Sequence, residues 1–204
     1  MILLDQRSVG IAILILLALL VFVKQMATGT VLDRPAGALP VWLADVYNLI
    51  FLLIVNPLAA ILLITRRFEA PDATALAVQS RGMLMALEVG GMLLYVTGWL
   101  LMAWALIVMG RRFQAGGRAP RAADSLVVSG PYRLVRHPMF SAVLFLALGL
   151  ACLLRSPIGF AVFAIYVLLI VVLIPIEEQG MTRAYGEEYT AYQRGVSRLI
   201  PHLY

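Results

Sequence analysis

The sequence is short of most of what a soluble, secreted or metal-binding protein relies on. It has one cysteine, Cys152, set in an apolar run. A lone thiol excludes a disulfide framework and any cysteine-based metal site; it reads as a buried, inert side chain, and no metal is assigned. Charge is scarce, at 13% of residues, and lysine is almost missing: Lys24 stands alone, so arginine carries nearly all of the net +5. In a soluble chain that balance would suggest nucleic acid. Here 62% of the 204 residues are hydrophobic and the mean hydropathy is +0.93. The arginines therefore read as loop charges that orient membrane helices and meet anionic lipid, and nucleic acid is not expected as a partner. No cleavable signal peptide is expected, because the first apolar run has no small-residue cleavage site.

What is present is a series of five apolar runs, which predicts an all-α, polytopic integral membrane protein forming one membrane domain over residues 1–204. Helix one covers Val9 to Val23, extended backwards by Ile2-Leu3-Leu4, and carries no chemistry. Residues 24–40 form a loop punctuated by Lys24, Asp33, Arg34, Pro35 and Pro40. Helix two, about Val41 to Ile64, carries Asp45, Asn48 and an Asn56-Pro57 step. The proline predicts a kink and a freed carbonyl that needs a partner inside the protein. Arg66-Arg67 ends this helix, and a polar loop runs to Arg81. Helix three, Met83 to about Met109, has Gly90, Gly91 and Gly98 for close helix approach and Glu88 near one end. A carboxylate in a membrane helix is a functional hypothesis by default; a snorkelling Glu88, or one paired with Arg81, is the equal alternative.

The last two runs, Met139 to Leu154 and Pro157 to Pro175, are joined by Arg155-Ser156-Pro157. Sixteen residues of helix rise only about 24 Å, against roughly 30 Å of hydrocarbon. A tight hairpin follows, with one end sunk and covered by protein. Three N-terminal helices thus fill residues 1–110, and 111–204 hold the hairpin and an amphipathic tail helix. Five spans place the termini on opposite sides. The side with residues 24–40, 110–137 and the tail has eleven Lys and Arg; the other has five. The positive-inside rule makes the first side, with the C-terminus, cytoplasmic. A bacterial inner membrane is the expected location.

The polar knot on that side is Ser129-Gly130-Pro131-Tyr132-Arg133-Leu134-Val135-Arg136-His137-Pro138-Met139-Phe140. Gly130-Pro131 reads as a turn. His137-Pro138 reads as a helix start, with Pro138 at the first helical position. The free amides of that first turn and the positive end of the helix dipole face whatever anion Arg133, Arg136 and His137 help to hold. The hairpin brings Glu177-Glu178 beside His137 although they are forty residues apart in sequence. Cations and a helix N-terminus on one wall, with two carboxylates on the other, suit a zwitterionic ligand such as S-adenosylmethionine. The alternative is that Glu177 and Glu178 are solvated charges capping the membrane end. Beyond them, Tyr185, Tyr189, Tyr192 and Val196 recur on one helical face. That face is either an interfacial tyrosine belt, a lid over the pocket with one tyrosine against an adenine, or both.

GPYRLVRHPMF, a helical hairpin, EE and then YGEEYTAYQRGVSRLIP resemble the isoprenylcysteine carboxyl methyltransferase family and its phospholipid N-methyltransferase relatives over roughly residues 124–201. The resemblance implies S-adenosylmethionine held by Asp124, Ser125, Leu126, Val127, Tyr132, His137, Pro138, Phe140 and Glu177. Gly130, Arg136, Glu178 and Tyr189 complete the expected cofactor set. It also implies a cofactor open to the cytosol and a lipid or lipid-linked acceptor entering from the bilayer. A soluble Rossmann methyltransferase is disfavoured, since no Gly-x-Gly-x-x-Gly turn follows a strand pattern. The chain departs from the family at Phe140 and Ala142, where Tyr and Gly are frequent, and at Asp124, commonly His in the eukaryotic enzymes. Leu173 stands where those enzymes place an arginine for the acceptor's carboxylate.

The expected activity is therefore isoprenylcysteine-type carboxyl O-methylation, with phospholipid N-methylation or thiol S-methylation as alternatives. An amine acceptor would need to shed a proton, and Glu88 is the expected base. Arg136 and His137 complete the expected catalytic set, with His137 read as cofactor-binding and helix-initiating rather than as a base. Two readings from other classes are a catalytically silent membrane scaffold and a small transporter. The transporter would need an internal repeat, and none relates the halves.

Overall fold

The structure, a computed structural model, describes residues 3–32, 39–65, 78, 80–114 and 124–201. The expected loop residues Asp33, Arg34, Pro35, Arg66, Arg67, Arg118 and Arg121 lie outside them. The described chain is helical: α1 (Gln6–Thr28), α2 (Leu39–Ile64), α3 (Arg81–Met109), α4 (Pro138–Leu154), α5 (Pro157–Tyr185) and α6 (Glu187–Gly195). The first three and α5 are long and apolar enough to cross a membrane, and α4 is the shorter apolar helix. Outward-facing side chains such as Phe22, Leu93 and Leu168 are more than half exposed in the isolated chain, as a lipid-facing belt requires. The protein is a polytopic all-α integral membrane protein.

Local chemistry sets the helix ends. Asp5 caps α1, its Oδ2 accepting the Ser8 N–H at 2.9 Å, and Gly29 closes the other end at φ 80°. Ser80 caps α3 and Ser156 caps α5 in the same way. These caps carry α1 and α3 past the bounds that hydropathy suggests. Pro175 does not end the fifth span: α5 continues through it for ten residues and stops only at Gly186, φ 57°. That glycine also divides the tail, so Tyr185 ends α5 while Tyr189 and Tyr192 sit on α6.

The Asn56-Pro57 step produces a π-helical turn, Phe51–Val55, within α2. Asn56 Nδ2 donates to the Phe51 carbonyl at 2.7 Å, and Tyr95 of α3 donates to Asn56 Oδ1 at 2.7 Å. The polar needs of the irregular turn are thereby met inside the bundle. Helices α3 and α4 run antiparallel, with backbones almost touching. A Cβ on Gly98 would lie 2.7 Å from the Ala142 carbonyl oxygen, and one on Gly149 would lie 2.6 Å from the Tyr95 nitrogen. This contact holds the N-terminus of α4, where the polar knot lies, against the long span α3.

Glycine at position 98 is therefore a steric requirement, whereas Gly90 faces open space. Gly98→Ala should cost about 1–3 kcal/mol through overpacking. Gly90→Ala should be neutral, or stabilising by up to about 1 kcal/mol through helix propensity. Thermal unfolding of the two variants in detergent checks this; equal melting temperatures would contradict the packing.

Candidate functional site

The site begins where the chain leaves its 3₁₀ turn at Gly130–Arg133 and enters α4. Residues 135–137 are extended and pair with the C-terminal segment. Val135 bridges Ser197 in parallel, the Arg136 N–H donates to the Ser197 carbonyl at 2.8 Å, and the His137 N–H donates to that of Arg198 at 3.0 Å. Ser141 Oγ adds a 2.7 Å bond to the Leu199 carbonyl. The tail is thus stitched along the entrance to α4, which seats α6 above it.

Glu178 is the hub of this arrangement. It is 5% exposed, and three cations converge on it. Arg136 approaches Oε1 through Nε at 2.8 Å and Nη2 at 2.7 Å; His137 Nε2 lies 3.4 Å from Oε1; Arg198 Nη2 lies 3.1 Å from Oε2. Arg136 Nη1 also donates to the Gln193 carbonyl at 2.9 Å and to that of Val196, closing the C-terminal end of α6. The neighbouring Glu177 meets the other imidazole nitrogen, Oε2 to Nδ1, at 3.6 Å. Burial drives the His137 imidazole toward its neutral form, but the two carboxylates outweigh it and hold its pKa above the ordinary 6.5. The ring stacks on Phe140 with centroids 5.5 Å apart.

Beneath this rim is a cavity of about 370 Å³, within the range of small-molecule sites. Of the residues singled out from the sequence, Ser125, Leu126, Val127, Tyr132 and Tyr189 line it. So do Arg136, His137, Pro138, Phe140 and Glu177, together with Asp124. Tyr192 donates to the Tyr132 carbonyl at 2.5 Å, fixing α6 over the turn. Burial pushes the phenols of Tyr132 and Tyr189 above their usual range and that of Tyr192 up to about 12. All three are therefore hydroxyl donors at neutral pH. The Tyr132 hydroxyl is buried without a hydrogen-bond partner among the described residues.

Four expected residues do not reach the cavity. Glu88 is fully buried near the opposite end of the bundle, one turn before Gly91, which packs on Gly149 and Leu153. Its Oε2 accepts the N–H groups of Leu3 at 2.9 Å and Leu4 at 3.3 Å. It serves the backbone entering α1 and is out of reach as a base. Gly130 takes φ 59°, and its Cα packs on α3, where a Cβ would lie 2.7 Å from Val108 Cγ2. Its place is the turn, not the ligand. Glu178 stands behind the wall and acts through Arg136 and His137. Arg133 is exposed and does not line the cavity.

Sequence reasoning gave no role to Asp45, Asn48 and Tyr166, which line the deeper wall, nor to Arg198. The spacing of Asp45 and Asn48, three apart in an apolar helix, was the available signal for that wall. The reading of Glu177 and Glu178 as solvated charges does not fit a buried, triply paired Glu178.

A family model described as phospholipid methyltransferase matches residues 87–188, half of the chain, from α3 to the start of α6. Protein-S-isoprenylcysteine O-methyltransferase B of Arabidopsis thaliana is 30% identical over 113 residues, covering 54% of this chain and 57% of that protein. Protein-S-isoprenylcysteine O-methyltransferase A of the same plant is 28% identical with the same coverage. A probable protein-S-isoprenylcysteine O-methyltransferase of Oryza sativa subsp. indica is 28% identical over 115 residues, 55% of this chain and 60% of that protein. The chain spans little more than half the length of the curated relatives it matches.

The His137 geometry has a pH signature. Folded His137 holds its proton more tightly than the unfolded chain does. Its contribution to stability is fully present below the unfolded value near 6.5 and is lost as pH rises through the raised folded value. Melting temperatures taken from pH 6 upward should fall in the wild type relative to His137→Gln. Parallel profiles would contradict the pairing.

Proposed function

The chain belongs to the phospholipid methyltransferase family, and on that premise we propose that it transfers a methyl group from S-adenosylmethionine to a lipophilic or lipid-linked acceptor. The reading follows the pattern of the isoprenylcysteine carboxyl O-methyltransferases. The observation that carries it is the closure of His137 on Glu177, 3.6 Å apart, at the rim of a largely apolar cavity. Such a rim offers a cation and an anion to one zwitterionic ligand while the membrane side stays dry. The excess of arginine on the side of residues 110–137 and the tail supports a cytoplasmic placement of the site, where a soluble nucleotide is available.

The residues present fit that cofactor. His137, charged between its two carboxylates, and the first-turn amides of α4 would hold its carboxylate. Glu177 would take its ammonium or ribose hydroxyls. The unpartnered Tyr132 hydroxyl supplies a further donor, and Tyr185 and Tyr189, both lining the cavity, supply aromatic faces. When bound, the cofactor supplies a methyl group on a sulfonium, already a good leaving group. The protein is then left with alignment and dehydration. Phe140, Leu173 and Val143 keep the inner wall free of water, and the Glu178 hub fixes the angle at which the rim meets that wall. The two carboxylates hold the His137 pKa above its ordinary value, which suits the imidazole to holding the ligand rather than to acting as a base.

Calorimetric titration of the purified protein with S-adenosylhomocysteine should show binding. Glu177→Gln should weaken it about 10-fold to 100-fold, the size of one charge-assisted hydrogen bond. Absence of heat in the wild type would favour the silent scaffold.

A further inference from the structure

We infer that Arg198 is a positioning residue for the site: it pins Glu178 Oε2, which leaves Oε1 to steer the His137 imidazole. The inference deepens the methyltransferase reading and rests on it. Arg198 lies on the C-terminal segment, beyond the matched residues 87–188. A side-on guanidinium ordinarily spans both oxygens of a carboxylate with two parallel bonds. At Glu178 each arginine keeps to one oxygen instead. Arg136 places Nε and Nη2 on Oε1 at 2.8 and 2.7 Å, and Arg198 places Nε and Nη2 on Oε2 at 3.2 and 3.1 Å. With Arg198 on Oε2, Arg136 cannot take both oxygens, and the two guanidiniums together fix the plane of the carboxylate.

His137 is the member that depends on that plane. Its Nε2 lies 3.4 Å from Oε1, the longest of the three cation contacts to Glu178, and a bond of that length is the first to be lost when the carboxylate turns. Arg198 reaches His137 twice. Its carbonyl accepts the His137 N–H at 3.0 Å, and its guanidinium sets the oxygen that His137 Nε2 meets. Loss of the guanidinium would free Arg136 to span both oxygens and draw Oε1 away from the imidazole. The nitrogen facing Glu177, 3.6 Å away at the rim, would turn with the ring. Arg198 is also the water-facing member of the hub: its side chain is 34% exposed, against 9% for Arg136 and 6% for Glu178. Its removal therefore leaves Glu178 paired with Arg136 and His137, not stranded as a buried lone charge. Methionine keeps most of the apolar stem, and lysine keeps the charge as a single point without the fork.

Two readouts test the role in the full chain in phosphatidylcholine nanodiscs. Arg198→Met should weaken S-adenosylhomocysteine binding about tenfold, the size of one charge-assisted hydrogen bond, and Arg198→Lys should recover part of that loss. In a Glu178→Gln background, Arg198→Met should change the affinity by less than about twofold, because the two residues act as one unit. The second readout needs no cofactor. The chain has two histidines, His137 and His202, so nitrogen NMR of labelled histidine in the His202→Gln protein reports His137 directly. Arg198→Met should move its Nε2 resonance, and Arg198→Lys should return it toward the wild-type position. A His137 resonance unmoved by Arg198→Met overturns the positioning role. So does unchanged affinity in a protein that binds S-adenosylhomocysteine, or a loss as large with Glu178→Gln as without it. A wild type that binds no S-adenosylhomocysteine, with the His137 resonance still moved by Arg198→Met, would instead remove the methyltransferase reading and leave the hold of Arg198 on the imidazole standing.

Discussion

One buried carboxylate, Glu178, binds three distant parts of the chain into a site. Arg136 and His137 enter from the loop before α4, Arg198 from the C-terminal segment, and Glu178 itself from α5. Burying any of these charges alone would cost several kcal/mol, and together they compensate one another. The benefit is geometric more than energetic. With the hub closed, the tail must run beside residues 135–137, α6 must cover the cavity, and the imidazole must turn its other nitrogen toward Glu177. Removing Glu178 would leave two guanidiniums and an imidazole facing each other in a dry space.

The rest of the bundle serves to present that rim to two solvents at once. The backbone contact of α3 with α4 at Gly98 and Gly149 holds the short helix that begins at Pro138. On the other side, α2 turns through its π segment so that Asp45, Asn48 and Phe51 face the same cavity. The result is a graded pocket: charged and aromatic at the aqueous rim, apolar where Leu173 packs with Val41, Ala44 and Phe140, and polar again at Asp45, Asn48 and Tyr166. On the proposed reading, such a gradient would let a soluble, charged donor and a hydrophobic acceptor meet without either crossing the other's medium.

The rim was legible in the sequence because its chemistry is local. Pro138 at a helix start, a histidine before it and arginines around it need no tertiary knowledge to be read as an anion-binding turn. The hairpin that brings Glu177 to His137 was legible from the short Arg155-Ser156-Pro157 joint, although only α4 is short and α5 is long enough to span by itself. The rest needed the fold. Glu177 and Glu178 are identical residues in adjacent positions, and only the rotation of about 100° per helical residue decides which faces the cavity and which becomes the hub. Glu88 misled because a membrane carboxylate can be satisfied by backbone N–H groups as well as by chemistry, and the Leu3 and Leu4 amides that do so lie 85 and 84 residues away. Pro175 misled because a proline within a long helix can be tolerated, whereas Gly186, at positive φ, ends it. Asp45 and Asn48 were visible as polar interruptions, but Tyr166, their partner across the cavity, looks like any aromatic in an apolar run.

Direct photo-crosslinking of radiolabelled S-adenosylmethionine to the membrane-embedded protein, followed by peptide mapping, addresses the joining of these segments into one pocket. Label confined to peptides containing residues 124–140 and 177–192, and abolished by Glu178→Ala, is the expected result. Label on peptides around Glu88, or label undiminished when Glu178 is removed, would contradict a site assembled by that carboxylate.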